Sequence, residues 1–135
     1  MIIYIAAPWA DREKMPEISK RFEDEGHGIT WKWWLTEDIK ESARTFEALQ
    51  EQAFNDVKGV VDAQLVVLLN NAKSEGKAFE TGLAVAQRKP IIAVGKLGAF
   101  SLNVFHYLPS FKWVDSVDEA LDVLRTIDWL VKNGE

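Results

Sequence analysis

A glutamate at a predicted strand-to-helix junction is the first feature of this sequence that could do chemistry. The apolar run Leu65–Leu69 predicts a strand buried on both faces, and a polar turn containing Ser74 and Gly76 follows it. A helix is predicted to begin near Lys77, which places Glu80 in its first turn, where the helix dipole favours a charged carboxylate. An ionised, oriented carboxylate is a candidate nucleophile. The alternative is that Glu80 only complements the helix end.

Tyr4 and Asp56 are expected to reach the same crevice. Tyr4 lies near the carboxyl end of the predicted first strand, Ile2–Ala6, where its phenol would hydrogen-bond to Glu80 and hold the rotamer of that carboxylate. Asp56 lies beside the apolar stripe of a helix predicted to begin at Ser42. From there its side chain either reaches the crevice or, as is commoner for a polar residue at such a position, stays solvated.

The turn before Glu80 is the candidate binding element. Ser74 and the backbone amides around Gly76 would form a small concavity suited to a phosphate or a hydroxyl, although Ser74 is also a good helix N-cap. The sequence contains no P-loop, dinucleotide-binding glycine motif or nucleophilic serine elbow. It has no cysteine, and His27 and His106 are far apart, so no metal site and no cofactor are predicted.

The elements that must position these residues alternate between strand and helix. Strands are predicted at Ile2–Ala6, 28–34, Leu65–Leu69, 90–94 and 112–114. This alternation predicts an α/β fold with a five-stranded, mainly parallel sheet of order 2-1-3-4-5 and helices on both faces. In that order the loops after the first and third strands meet at one crevice.

Aromatic residues surround the expected crevice. Trp31, Trp33 and Trp34 fall in the predicted second strand, where they serve either sheet packing or a subunit interface, or form a wall for base stacking. Trp9 lies in the first loop, and Asp11 is expected to cap the first helix.

Length and composition limit the classes of partner. The 135 residues fit a single domain, 1–135, and the absence of cysteine fits a cytoplasmic protein. With a net charge of −5 and no long basic run, no nucleic acid polymer is expected as a partner. The apolar start of the chain is too short to span a membrane, so no membrane association is expected.

Four segments of the sequence resemble the nucleoside 2-deoxyribosyltransferase family and the related 2′-deoxynucleoside 5′-phosphate N-hydrolases. The most specific is the pattern E-x-G-x-A-x-x-x-x-K-P that begins at Glu80. The others are IYIAAPW at 3–9, FNDVKGVV at 54–61 and LNVFHYLP at 102–109.

The resemblance implies a flavodoxin-like three-layer fold and cleavage of the N-glycosidic bond of a small-molecule deoxynucleoside or deoxynucleotide. It implies Glu80 as the nucleophile that forms a covalent deoxyribosyl intermediate, Tyr4 as its orienting residue, and Asp56 as the group that exchanges a proton with the base. Asn103 matches an Asn that the transferases bring from a neighbouring subunit, which implies a homo-oligomer with shared active sites. Phe105 is expected on the same wall.

The resemblance leaves the substrate open. At Ser74 the transferases tend to carry Asp, whereas the phosphate-using hydrolases tend to carry Ser, which does not repel a 5′-phosphate. Asn103 is transferase-like, and Trp9 with its neighbours replaces the serine-rich first loop of the hydrolases. Transfer to a second base, hydrolysis of a 5′-monophosphate and nucleotide binding without catalysis all remain open.

Overall fold

The computed structural model describes residues 1–36, 45–100 and 103–134. Five strands form one parallel sheet of order β2-β1-β3-β4-β5, which confirms the predicted topology. The strands are β1 Ile2–Ala6, β2 Gly28–Ile29, β3 Leu65–Leu69, β4 Ile91–Val94 and β5 Phe111–Val114. The helices are α1 Met15–Glu23, α2 Phe46–Asp62, α3 Glu75–Ala86 and α4 Val117–Asn133.

The sheet is the middle layer of a flavodoxin-like α/β sandwich. Helices α2 and α3 pack together over β1 and β3, while α1 packs on β2 and α4 packs on β4 and β5. All five residues of β3 are buried, as expected for a parallel strand covered on both faces. No helix in the described part of the chain is long and apolar enough to cross a bilayer.

The strand register sets the position of the crevice. Tyr4 pairs with Val66 and Ala6 pairs with Leu68, so β1 and β3 end at nearly the same level. The chain crosses to β2 on one side of this pair and to β4 on the other, which is the switch point of a doubly wound sheet.

The second strand is much shorter than predicted. Only Gly28–Ile29 pairs with β1, and residues Trp33–Leu35 form a 3₁₀ helix. The indole N–H of Trp33 donates to the carbonyl of Ile5 at 2.8 Å, which turns the aromatic segment over the end of β1. The prediction of a strand over 28–34 is therefore wrong beyond Ile29, because burial of the indole rings outweighs their preference for strands.

Helix starts also differ from the sequence expectation. Asp11 is not the cap of α1: it ends a 3₁₀ helix, is buried, and accepts a hydrogen bond from the side-chain amide of Asn71. The predicted start of the second helix at Ser42 lies outside the described residues, and Thr45 caps α2 by accepting from the Ala48 amide. Helix α3 begins at Glu75, two residues earlier than predicted.

Candidate active site

A cavity of about 180 Å³ opens at the carboxyl end of β1, beside the first turns of α3. It contains Glu80, Tyr4 and Asp56 together, and its other walls are aromatic or small and polar. The lining residues are Tyr4, Ala7, Trp9, Trp31, Trp33, Thr36, Gln52, Asp56, Ser74, Gly76 and Glu80.

A hydrogen bond in this cavity joins Tyr4 and Glu80. The Tyr4 hydroxyl donates to Oε2 of Glu80. Only 1% of Tyr4 is exposed, and its pKa is raised by burial and by the negative charges of Glu80 and Asp56. The phenol therefore stays protonated and serves as a fixed donor that orients the carboxylate.

The helix dipole does not set the pKa of Glu80. It is the sixth residue of α3 rather than a first-turn residue, and the dipole acts mainly within the first turn. Burial raises the pKa of Glu80 from 4.5 to about 7; the hydrogen bond from Tyr4 lowers it and the charge of Asp56 raises it. The expectation of a dipole-stabilised carboxylate is therefore wrong, because burial is the largest influence on this group.

Asp56 faces the cavity rather than bulk solvent. Its Oδ1 accepts a hydrogen bond from the indole N–H of Trp31 at 3.0 Å. Burial raises the pKa of Asp56, and the bond from Trp31 partly opposes this by lowering it. A carboxyl group with a raised pKa keeps its proton to higher pH than an ordinary aspartate, which suits a proton donor.

Gly59 lets α2 approach these residues closely. A Cβ atom at this position would lie 2.8 Å from Cδ1 of Tyr4 and 2.9 Å from Cβ of Trp31. The hydroxyl of Thr30 donates to the Gly59 carbonyl at 2.7 Å and fastens the same point of the helix to the segment after β2. The position of Asp56, one turn earlier on α2, depends on this contact.

The tryptophans of the second predicted strand divide between the cavity and the core. Trp31 and Trp33 line the cavity with Trp9, whose ring centroid lies 6.0 Å from that of Trp33. Trp34 packs edge-on against Trp33 at 5.5 Å and does not line this cavity. Trp9 is 39% exposed.

Ser74 caps α3 and also lies at the Glu80 cavity. Its hydroxyl accepts from the Lys77 amide at 3.3 Å and caps α3, and its side chain also lines the Glu80 cavity. Gly76 lies beside it, where an added Cβ would remain 3.6 Å from the Ser74 hydroxyl. Glycine is therefore not sterically required at this position.

Asn103 and Phe105 are not brought to Glu80 within one chain. Asn103 caps a 3₁₀ helix, Val104–Tyr107, by accepting from the Phe105 amide at 3.0 Å. Both residues line a different, largely apolar cavity between that helix and α3. Phe105 is 67% exposed.

The sequence patterns did not predict that the side chain of Lys77 is buried beside the candidate site. This side chain is only 4% exposed and donates to the backbone carbonyl of Ala72. Lysine in a first helical turn is usually solvated, so the residue type did not predict the burial of Lys77. The spacing did contain a signal, because Lys77, Thr81 and Ala84 share the one buried face of α3.

The described part of the chain contains no candidate metal site. No group of three His, Cys, Asp or Glu side chains able to hold a metal ion occurs within residues 1–36, 45–100 and 103–134.

The fold and this cavity together define a flavodoxin-like α/β protein with two partly buried carboxyl groups, a phenol and an indole wall at its switch point. A solved structure with a similar fold is the CMP N-glycosidase BcmB of Clostridium botulinum. The two share 15% sequence identity with a TM-score of 0.56, over 93% of this chain and 99% of that one, a likeness of fold. No family model and no curated protein matches the sequence.

Proposed function

We propose that this protein cleaves the N-glycosidic bond of a 2′-deoxynucleoside and transfers the deoxyribosyl group to a second nucleobase or to water. The observation that carries the proposal is the contact between the Tyr4 hydroxyl and the Glu80 carboxylate, in a cavity that also holds Asp56. A partly buried carboxylate with a fixed orientation and a nearby carboxyl of raised pKa are the two groups that glycosidic cleavage needs.

In the first step, the Glu80 carboxylate attacks C1′ of the sugar as the bond from C1′ to the base nitrogen breaks. The electron pair of that bond moves to the base, and Asp56 supplies the proton that makes the base a neutral leaving group. The transition state is oxocarbenium-like, so the negative charge of Glu80 stabilises it before the ester forms. Tyr4 keeps the attacking oxygen aligned with C1′.

In the second step, a water molecule or a second base attacks C1′ and releases Glu80 as a carboxylate. Asp56, now ionised, accepts the proton of the incoming nucleophile, so the proton balance is restored. The indole faces of Trp9 and Trp33 supply stacking surfaces for a planar base. The same surface would accept the leaving base and then its replacement.

A 5′-monophosphate hydrolase is the second candidate, and Ser74 favours it. This neutral hydroxyl lines the Glu80 cavity where a carboxylate would repel a phosphate. The likeness of fold to a CMP N-glycosidase adds a reason to include nucleoside monophosphates among the substrates tested.

We further propose that the protein works in the cytoplasm as a homo-oligomer in which Asn103 serves a neighbouring copy. Within one chain Asn103 lies away from Glu80, while the residues beside it form an exposed apolar surface. Val104, Phe105 and Tyr107 are 65%, 67% and 59% exposed. Covering such a surface with a second chain would be favourable and would move Asn103 into a new environment.

The test is a product assay over a panel of deoxynucleosides, ribonucleosides and their monophosphates, with and without a free second base. Mixed nucleosides would establish transfer, whereas free base with a sugar or sugar phosphate would establish hydrolysis. Asp56→Asn should slow base release strongly, while Asp62→Asn, at an exposed position of the same helix, should not. Saturable binding across the panel with no product from any member would contradict the proposal and indicate a binding module.

A further inference from the structure

Gln52 lines the Glu80 cavity and has no task in the proposed chemistry. It lies on α2 four residues before Asp56, so the two side chains share one helix face, about 6 Å apart along the axis. Side chains of a helix lean towards its N-terminus, which brings the Asp56 carboxyl towards Gln52. A ligand that meets the carboxyl of Asp56 is therefore within reach of the Gln52 carboxamide.

The carboxamide of Gln52 is free to bind a ligand. Other polar side chains of the cavity hydrogen-bond within the protein, as do those of Tyr4, Trp31, Trp33, Thr36, Asp56, Ser74 and Glu80. Within the described part of the chain, only the half-buried Gln52 and the exposed Trp9 line the cavity with a polar side chain that has no hydrogen-bond partner. A carboxamide offers two donors and one acceptor oxygen to whatever the cavity binds.

The charge of the cavity favours a ligand edge that donates hydrogen bonds. Glu80 and Asp56 line the cavity, and no lysine or arginine is found among the described residues of its wall. A negative potential favours an amine, which donates, over a carbonyl, which accepts. Oε1 of Gln52 can accept from such an amine, because no described residue occupies it.

An exocyclic amine beside an accepting ring nitrogen matches Gln52 and Asp56 together. Burial raises the pKa of Asp56, which therefore keeps a proton that it can give to the ring nitrogen. Protonation of the ring nitrogen draws electrons from the amine, so the amine then donates more strongly to Oε1 of Gln52. A contact that strengthens as the base departs stabilises the transition state more than the bound substrate.

We propose that Gln52 selects the base, and that the selected bases carry an exocyclic amine beside a ring nitrogen, as cytosine and adenine do. Oε1 of Gln52 accepts from the amine while Asp56 gives its proton to the ring nitrogen. The inference rests on the proposed function, because the two residues act on the same base.

The test compares substrates that differ only at the amine. The pairs are deoxycytidine with the deoxyriboside of 2-pyrimidinone, and deoxyadenosine with the deoxyriboside of purine; hydrogen replaces the amine in the second member of each. Gln52→Met keeps the length and helix propensity of the side chain but cannot accept from the amine. It should lower kcat/KM for the amino substrates about tenfold and change that for the analogues by less than about twofold.

The ratio of kcat/KM within each pair is the decisive quantity, because differences in intrinsic reactivity cancel when two proteins are compared. Gln50→Met, the same change at an exposed position of α2, should leave both ratios as they are in the unchanged protein. Ratios that Gln52→Met leaves unchanged in both pairs would overturn the proposal. An equal loss on amino substrates and analogues would also overturn it, since that result indicates a structural role.

A binding measurement separates this inference from the proposed function. Quenching of tryptophan fluorescence gives the Kd of the same four compounds in Glu80→Gln, which keeps Gln52. Adding Gln52→Met to that variant should lower the affinity for the amino compounds relative to the analogues by at least about threefold.

The two readouts fail independently. A Gln52-dependent affinity ratio without base release by the unchanged protein would sink the proposed function alone. Base release with ratios that do not depend on Gln52 would sink this inference alone. Absence of both base release and saturable binding of all four compounds would overturn both.

Discussion

The Tyr4 hydroxyl donates a hydrogen bond to the Glu80 carboxylate across 76 positions of sequence. Two different structural elements bring Tyr4 and Glu80 together. Strand β1 carries Tyr4 to the switch point of the sheet, and the capped turn after β3 starts α3 so that Glu80 points back towards it. Since the phenol is buried and its pKa is raised, it stays protonated and remains available to donate to Glu80 over the whole working pH range.

Tyr4→Phe tests this relationship. Loss of the donor should lower kcat by about ten- to a hundredfold, because a hydrogen bond to a charged group is worth about 1.5–3 kcal/mol. It should also raise the pKa of Glu80 further, which NMR titration of the Glu80 side-chain carboxyl carbon measures. Thr126→Val, which removes an exposed hydroxyl from α4, is the control. An unchanged pKa of Glu80 would contradict the orienting role.

Trp31→Phe should alter the titration of Asp56 instead. The indole N–H that lowers the pKa of Asp56 is lost while burial continues to raise it, so Asp56 should keep its proton to higher pH. NMR titration of the Asp56 side-chain carboxyl carbon should then show an upward shift of its pKa. Trp113→Phe removes an indole that bonds to the His106 carbonyl, outside this cavity, and should leave the pKa of Asp56 unchanged. A downward shift for Trp31→Phe would show that the indole N–H does not stabilise the ionised form of Asp56.

Gly59→Ala and Gly82→Ala form a matched pair of helical substitutions. The first forces a methyl group to within 3.0 Å of Tyr4 and Trp31, and should cost about 1–3 kcal/mol of unfolding free energy. The second meets nothing within 4 Å and should stabilise by up to about 1 kcal/mol through helix propensity. Urea denaturation measures both. Equal stability of the two variants would show that α2 is not held close to the site.

Glu80→Gln should have a pH-dependent effect on stability. The folded-state pKa of Glu80, about 7, is above its ordinary value of 4.5, so the folded protein binds the extra proton between these values. The contribution of Glu80 to stability is then present below pH 4.5 and is lost as pH rises through 7, a change of about 3 kcal/mol.

Glutamine does not titrate, so the stability of Glu80→Gln relative to the unchanged protein should improve from pH 5 to pH 8. Urea denaturation at both pH values measures the difference, and Glu75→Gln, an exposed residue of the same helix, controls for the loss of one charge. A difference that stays constant over this range would contradict a raised pKa of Glu80 in the folded protein.

Local sequence patterns were sufficient to predict the fold where a single physical rule dominates. The continuous apolar run of β3 and the alternation of strands and helices predicted the parallel sheet and its order, because buried parallel strands leave few alternatives. The same topology predicted that Tyr4 and Glu80 meet. The resemblance to known enzymes added their roles, which topology does not supply.

Predictions failed where a distant contact overrides local preference. Trp33 leaves the strand because its indole N–H bonds to the Ile5 carbonyl, and Asp11 is engaged by Asn71 instead of capping α1. The pKa of Glu80 follows burial by residues from several elements, which no local window contains. Lys77 was missed because its acceptors are backbone carbonyls, which residue types do not reveal.

The most direct test of the account is the rate of base release by Glu80→Gln, measured at pH 8 with the best substrate of the panel and with folding checked by thermal denaturation. Removal of the nucleophile should lower kcat by at least about a thousandfold while substrate binding persists. Turnover by folded Glu80→Gln at the rate of the unchanged protein would contradict the assignment of Glu80 as the group that captures C1′.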